Sequence, residues 1–281
     1  MERIYLGFDG SPGSISALSW VAARAERADA KVGLVSVVSR LPQERRAGLA
    51  HLAHAEEYLR DRAPGVGVEL HRLEGSVAGS FSDFAGDADL LVVGTNAGRP
   101  VRVDVAGAAP VRAGSHAHVP VVMVPAGWVD VGEPVTVGIA DDESSGAALA
   151  FAAAEAYTTD TSIRLVHAWL MPTPSFSGTT ALVHSPESAM AEHRAKLDAA
   201  VSWVIERFPI VDLHSELVRD SRSAALLRFA PRSSMLVVGT HHRGVPAASL
   251  LGTVVQEVLW RAESPVAVVP GGAVSSRSWG A

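Results

Sequence analysis

No cysteine occurs among the 281 residues. Disulfides, thiolate metal sites and cysteine nucleophiles are therefore excluded together. Charged residues are sparse at 19% while hydrophobic residues reach 48%, a balance that favours packed cores over long disordered stretches. The formal net charge is −6, so there is no excess of cations to build the basic face of a dedicated nucleic-acid binder. A small anion stays possible, because backbone amides bind one without net charge. No uninterrupted apolar run approaches the ~20 residues needed to span a bilayer, and the opening MERIYLGFDGSP has no apolar segment of signal-peptide length. A soluble, cytoplasmic protein with no membrane partner is expected. Absent too are a G-x-S-x-G elbow, an H-E-x-x-H pair and a GxxxxGK[ST] loop. No catalytic residue can be named, and a non-enzymatic role is expected.

What is present is a long internal repeat. LLVVGT at Leu90–Thr95 answers MLVVGT at Met235–Thr240, and VPVVMVP at Val119–Pro125 answers SPVAVVP at Ser264–Pro270, at one common offset. Near the N-terminus YLGFDGSPGSISALSW from Tyr5 answers TVGIADDESSGAALAF from Thr136 at a shorter offset. The second copy therefore carries an insertion, most simply in the Pro-, Ser- and Thr-rich stretch Met171–Pro186. Three matches in the same order mark two domains, 1–128 and 135–270, with a flexible tail over 271–281.

Within the first copy, short aliphatic runs alternate with helical patterns. Strands are expected at Ile4–Phe8, Val32–Val38, Val66–Leu73, Leu90–Gly94 and Val121–Val124, and helices from Pro12, over Gln43–Arg62, Ser76–Ala85 and Ala106–His116. Ser11 is placed to cap the first helix and Pro12 suits its first position. The second copy repeats the order, with strands near 135–139, 163–169, 211–218, 235–239 and 265–269. This alternation predicts an α/β fold with parallel sheets covered on both faces. The Val-rich strands account for the mean hydropathy of +0.20.

LGFDGSP after the first strand, and GTHHRGVPAASLLGT followed by SPVAVVP, resemble a universal stress protein domain. The likeness covers nearly the whole chain twice, so the sequence resembles a tandem universal stress protein. The resemblance implies two Rossmann-like domains of the adenine nucleotide alpha hydrolase type. Each would be an open five-stranded parallel sheet of order 3-2-1-4-5 with helices on both faces. Ligands of such sheets sit where the order reverses, at the carboxyl ends of strands one and four. The family pattern there is G-x2-G-x9-G-[S/T], with an acidic residue after strand one and a backbone contact to adenine at the end of strand two. That contact falls on Val37 and Ala168.

Carried over residue by residue, the two copies differ. The first keeps Gly7, Asp9 and Gly94, but its second glycine position is Ala97, with Gly98 next, and its closing pair is Gly107-Ala108, without a hydroxyl. Pro100 removes a further amide donor. The second keeps Gly138, Gly239, Thr240, Gly244, Gly252 and Thr253, but has His242 at the second glycine position and Ala140 where the first has Asp9. Asp141 is adjacent and could substitute, and His242 or Arg243 could contact phosphate. A hydrogen bond to a charged group contributes roughly 1.5–3 kcal/mol, so losing two weakens binding about 10²–10⁴-fold. The expectation is a degenerate first site and weak or conditional ATP binding, with Mg, in the second. The alternative is a nucleotide-free scaffold with both sites decayed. Slow ATP hydrolysis ranks third.

Plainer explanations cover the other polar clusters. Asp141, Asp142 and Glu143 read first as favourable charge at a helix N-terminus, and only second as a magnesium contact. His51 with His54, His116 with His118, and His241 with His242 lack the three or four ligands of a zinc site. Trp20, Trp203 and Trp260 read as core or helix-face residues, not a base-stacking platform. The resemblance also implies pairing of the two fifth strands, Val121–Val124 and Val266–Val269, within one chain. Such pairing would hide an apolar edge. A homodimer is a further possibility.

Overall fold

The computed structural model describes residues 1–38, 42–74, 87–95, 119–140, 144–171, 185–240 and 252–271. Along the first half run β1 (Glu2–Gly7), α1 (Pro12–Arg27), β2 (Ala30–Val38), α2 (Pro42–Arg62), β3 (Gly67–Glu74), β4 (Leu90–Thr95) and β5 (Val121–Pro125). Along the second run β6 (Val135–Ile139), α3 (Ser144–Thr159), β7 (Ile163–Trp169), α4 (Pro186–Arg207), β8 (Leu213–Arg219), α5 (Arg222–Phe229), β9 (Met235–Thr240), α6 (Thr253–Arg261) and β10 (Val266–Pro270). The expected helices at 76–85 and 106–116 and the tail beyond Gly271 lie outside the described residues. So does most of the inserted stretch, 172–184.

Local chemistry sets the helix starts. Ser11 accepts the Ser14 amide on its Oγ at 3.3 Å, with Pro12 in the first turn. Ser185 with Pro186 repeats the device at the start of α4, at 3.1 Å. In both, a hydroxyl satisfies one orphan amide and proline occupies a position whose N–H has no helical partner.

The strand order is β3-β2-β1-β4-β5-β10-β9-β6-β7-β8. Each half therefore runs 3-2-1-4-5, with parallel neighbours throughout. One feature differs from two self-contained parallel sheets. β5 and β10 pair antiparallel, with Met123 opposite Val266, Val122 opposite Ala267 and Val121 opposite Val268. The result is one mixed ten-stranded sheet, because these five-residue valine strands have no polar face to leave in water and each covers the other's open edge.

The sheet is buried on both sides. Ile4, Leu6, Val92, Val122, Val137 and Ala267 face a layer that includes α1, α2, α3 and α4. Tyr5, Leu91, Val121, Leu236, Val266 and Val268 face the other layer, with α5 and α6. Each of these clusters draws residues from both halves, so the core continues across the β5–β10 seam. Among the described residues no helix is long and apolar enough to cross a membrane.

Candidate functional site

The order reverses between β1 and β4 in one half and between β6 and β9 in the other, which places two equivalent crevices at the carboxyl ends of these strands. In the first half Gly7 ends β1, opposite Val35 on β2 and Val93 on β4. The chain then turns at Asp9. Asp9 Oδ1 accepts the Ser11 amide at 2.9 Å. Burial raises the Asp9 pKa, but the Ser11 and Ser14 hydrogen bonds outweigh it and hold the carboxyl below its usual 3.8. Gly10 sits at φ +76°, where a side chain would be strained. A Cβ there would also lie 2.5 Å from His51 Nδ1. His51 thus reaches from α2 onto the acidic turn, a placement that its spacing from His54 along the helix could not reveal.

At the end of β4 the backbone closes tightly on α1. A Cβ on Gly94 would lie 2.0 Å from the Gly13 carbonyl carbon, and one on Gly13 would lie 2.7 Å from the Thr95 oxygen. Gly94 is therefore a packing glycine. The Thr95 hydroxyl donates to the Val124 carbonyl at 3.5 Å. Val37 lies near the end of β2, opposite Leu73. Gly98 and Gly107 lie outside the described residues.

The second half has the same frame with different furniture. Gly138 lies on β6 opposite Val166, with Leu226 of α5 3.2 Å from where its Cβ would be. Ala140 replaces the acid, and its amide donates to Ser145 Oγ at 2.6 Å, so a hydroxyl from α3 holds the turn that a carboxylate holds in the first half. Gly239 and Thr240 end β9, opposite Val269 and Pro270. Thr240 is 4% exposed, and its buried hydroxyl has no hydrogen-bond partner among the described residues. Gly252 is the N-cap of α6 and Thr253 its first residue, and among the described residues no side chain caps this helix. The φ of Gly252 is −54°, and a Cβ added there meets nothing within 4 Å among the described residues. Among the described residues, neither conformation nor packing calls for glycine at this position. Asp141, His242, Arg243 and Gly244 lie outside the described residues.

Ala168 lies buried on β7 opposite Val218. Beside it is a group that the motif comparison missed. His167 is fully buried, with Nδ1 2.8 Å from the Ile139 carbonyl and Nε2 2.8 Å from Nδ1 of His193 on α4. A carbonyl only accepts, so His167 Nδ1 carries the proton and donates. With both rings neutral, His193 Nδ1 donates to His167 Nε2. The Trp169 ring lies 5.7 Å from that of His193, and the Arg219 guanidinium lies over the Trp169 ring at 5.7 Å from its centroid. These contacts tie the end of β6, next to Ala140, to β7 and α4. Ser36 occupies the corresponding place in the first half. The one available signal was this exchange of serine for histidine within the repeat. Among the described residues no group of three or more His, Asp or Glu could hold a metal ion.

The family model for the universal stress protein family matches residues 1–125 and 133–270. The chain belongs to the universal stress protein family. A two-domain universal stress protein of Mycobacterium tuberculosis is 27% identical, with 94% of each chain covered. One of Mycolicibacterium smegmatis is 26% identical, covering 95% of this chain and 96% of the relative. The fold is similar to the crystal structure of a universal stress protein from Archaeoglobus fulgidus, with a TM-score of 0.70, 14% identity, and coverage of 96% of this chain and 98% of the other. The chain is thus a tandem universal stress protein along its whole matched length.

Proposed function

We propose that this universal stress protein is a non-enzymatic regulator that takes an adenine nucleotide, as ATP with Mg, weakly and mainly in its second half. The observation that carries this reading is the entry to α6. Among the described residues, Gly252 and Thr253 open a helix with no side-chain cap, and the glycine serves neither a strained φ nor a close protein contact. A ligand oxygen approaching the first-turn amides would supply the missing reason for glycine. Thr240, whose buried hydroxyl has no partner among the described residues, stands at the other side of the same loop. In the first half the Thr95 hydroxyl is spent on a backbone carbonyl, and Gly94 is committed to packing against α1.

Gly252, Thr253, Gly239 and Thr240 would hold phosphate, and Ala168 would offer its backbone to the base. The helix N-terminus supplies oriented amides, and Thr253 supplies one hydroxyl donor. Magnesium would neutralise phosphate charge when bound with the nucleotide. The fused pair would act as an internal dimer, with β5 and β10 already paired to each other. A homodimer would have to use another surface.

Titration of the full chain with Mg-ATP by calorimetry tests the proposal. Saturable binding in the high-micromolar to millimolar range is expected, and Thr253→Ala should weaken it about tenfold or more. The replacement of the acid by Ala140 favours the second reading, a nucleotide-free scaffold. No binding at millimolar Mg-ATP would establish that reading instead.

A further inference from the structure

Arg24 lies near the end of α1 and Glu155 near the end of α3. The repeat pairs these two positions with each other. Tyr5 corresponds to Thr136, and counting forward equally from both brings Arg24 onto Glu155. The local two-fold relation between the halves therefore brings one position of the domain face to face with itself, and the two copies have placed opposite charges there. Arg24 Nη1 donates to Glu155 Oε2, and both side chains are 6% exposed. The other edge of the guanidinium grips Glu2 of the first half, Nε to Oε2 at 2.8 Å and Nη2 to Oε1 at 3.0 Å. The Arg24 guanidinium also lies 5.5 Å from the Trp20 ring. The pair opens onto a cleft of about 500 Å3 between the halves, whose rim holds the Arg27–Asp130 and Arg62–Glu26 ion pairs.

We infer that the ion pair between Arg24 and Glu155 makes the pairing of the two halves directional, so that the face around α1 fits the second half of the chain and rejects a second copy of itself. A buried charge is tolerated only with a partner. Two second halves facing each other would bring two Glu155 carboxylates together with no cation between them. Two first halves would turn two guanidinium Nη1 groups toward each other, each backed only by its own Glu2. Only the mixed pair satisfies every group. The β5–β10 pairing sets Met123, Val122 and Val121 against Val266, Ala267 and Val268, apolar residues that carry no charge to make this distinction. The specificity resides in the helix layer above them.

The test uses the full chain and removes the Glu2 charge throughout, so that one cation faces one anion. In a Glu2→Gln background, Arg24→Glu and Glu155→Arg each place like charges across the seam, reproducing the two rejected pairings. Their double combination restores opposite charges in reversed order. Hydrogen exchange at the paired β5 and β10 amides reads the seam directly. Each like-charged variant should exchange there about a hundredfold faster, and the reversed pair should regain most of the protection. Unchanged protection in the like-charged variants, or no recovery in the reversed pair, would overturn the inference. If a like-charged variant does not accumulate as folded protein, Arg24→Gln, Glu155→Gln and their combination replace the set. Their effects on β5–β10 protection should then be strongly non-additive, and strictly additive effects would overturn the inference equally.

Discussion

Gly94 and Gly252 both match glycines of one phosphate-loop pattern, yet they stand in opposite surroundings. At the end of β4 an added Cβ would lie 2.0 Å from the Gly13 carbonyl carbon, whereas at the start of α6 it would meet nothing within 4 Å among the described residues. The first glycine is needed by the fold. The second is left unexplained by it. The difference shows that a matching glycine is not evidence of a site until its surroundings are known. The repeat pairs Gly94 with Gly239 and Gly107 with Gly252, so these two glycines are different positions of the pattern. In the first half, the Thr95 hydroxyl bonds to a carbonyl of β5 and Gly94 lets β4 close onto α1. In the second half, the Thr240 hydroxyl has no hydrogen-bond partner and a Cβ on Gly252 would have no neighbour within 4 Å among the described residues.

Substitutions can break or sharpen this contrast. The largest effect is expected from Gly94→Ala, because backbone, not a flexible side-chain end, must move. Urea denaturation should show a loss of about 3 kcal/mol. A loss below about 1 kcal/mol would mean that the closure is loose and that the first crevice resembles the second after all.

Next is His167→Ser, which gives the second half the residue of the first. It removes the hydrogen bonds of a fully buried ring to the Ile139 carbonyl and to His193. A loss of about 2 kcal/mol is expected by the same measurement. A neutral result would show that the second half does not depend on its histidine tie.

Asp9→Asn probes the acidic turn that only the first half keeps. The folded-state pKa of Asp9 is lowered, so its extra stability is present above the unfolded value near 3.8 and is lost as pH falls through the folded value. Asp9 is exposed, so screening limits the neutral-pH cost to about 1 kcal/mol or less. The gap between variant and parent should close as pH falls below the unfolded value of 3.8 and through the lowered folded one. A gap that persists unchanged in acid would mean that charge is not what Asp9 contributes.

The smallest effect on stability, a few tenths of a kcal/mol, is expected for Gly252→Ala. The same change should abolish Mg-ATP binding in calorimetry if the glycine makes room for phosphate. Binding that survives it would remove the main support for a site at α6.

Much of the architecture was legible from residue order. Aliphatic runs such as LLVVGT and MLVVGT read as buried strands because their period and length are local properties, and Ser11-Pro12 signalled a helix start through a cap that acts within one turn. The site was legible only as a pattern. Ala140, Gly252 and Thr253 stood out against the motif, but the capture of the Ala140 amide by Ser145 and the freedom around Gly252 depend on how α3 and α6 approach their strands. His51 and His167 went unassigned for the same reason. One reaches Gly10 from α2, and the other meets His193 across the inserted segment.

By itself, the sequence determined that the chain is a duplicated α/β unit, that each unit has strands buried on both faces, and that the copies differ at the turn after strand one and in the loop after strand four. Tertiary structure alone decided which glycines serve packing, and that Arg24 meets Glu155 from 131 residues away. Periodicity and capping act over a few residues and leave their mark in the chain. Complementarity across a two-fold seam acts between distant residues, and it becomes visible only when the fold brings them into contact.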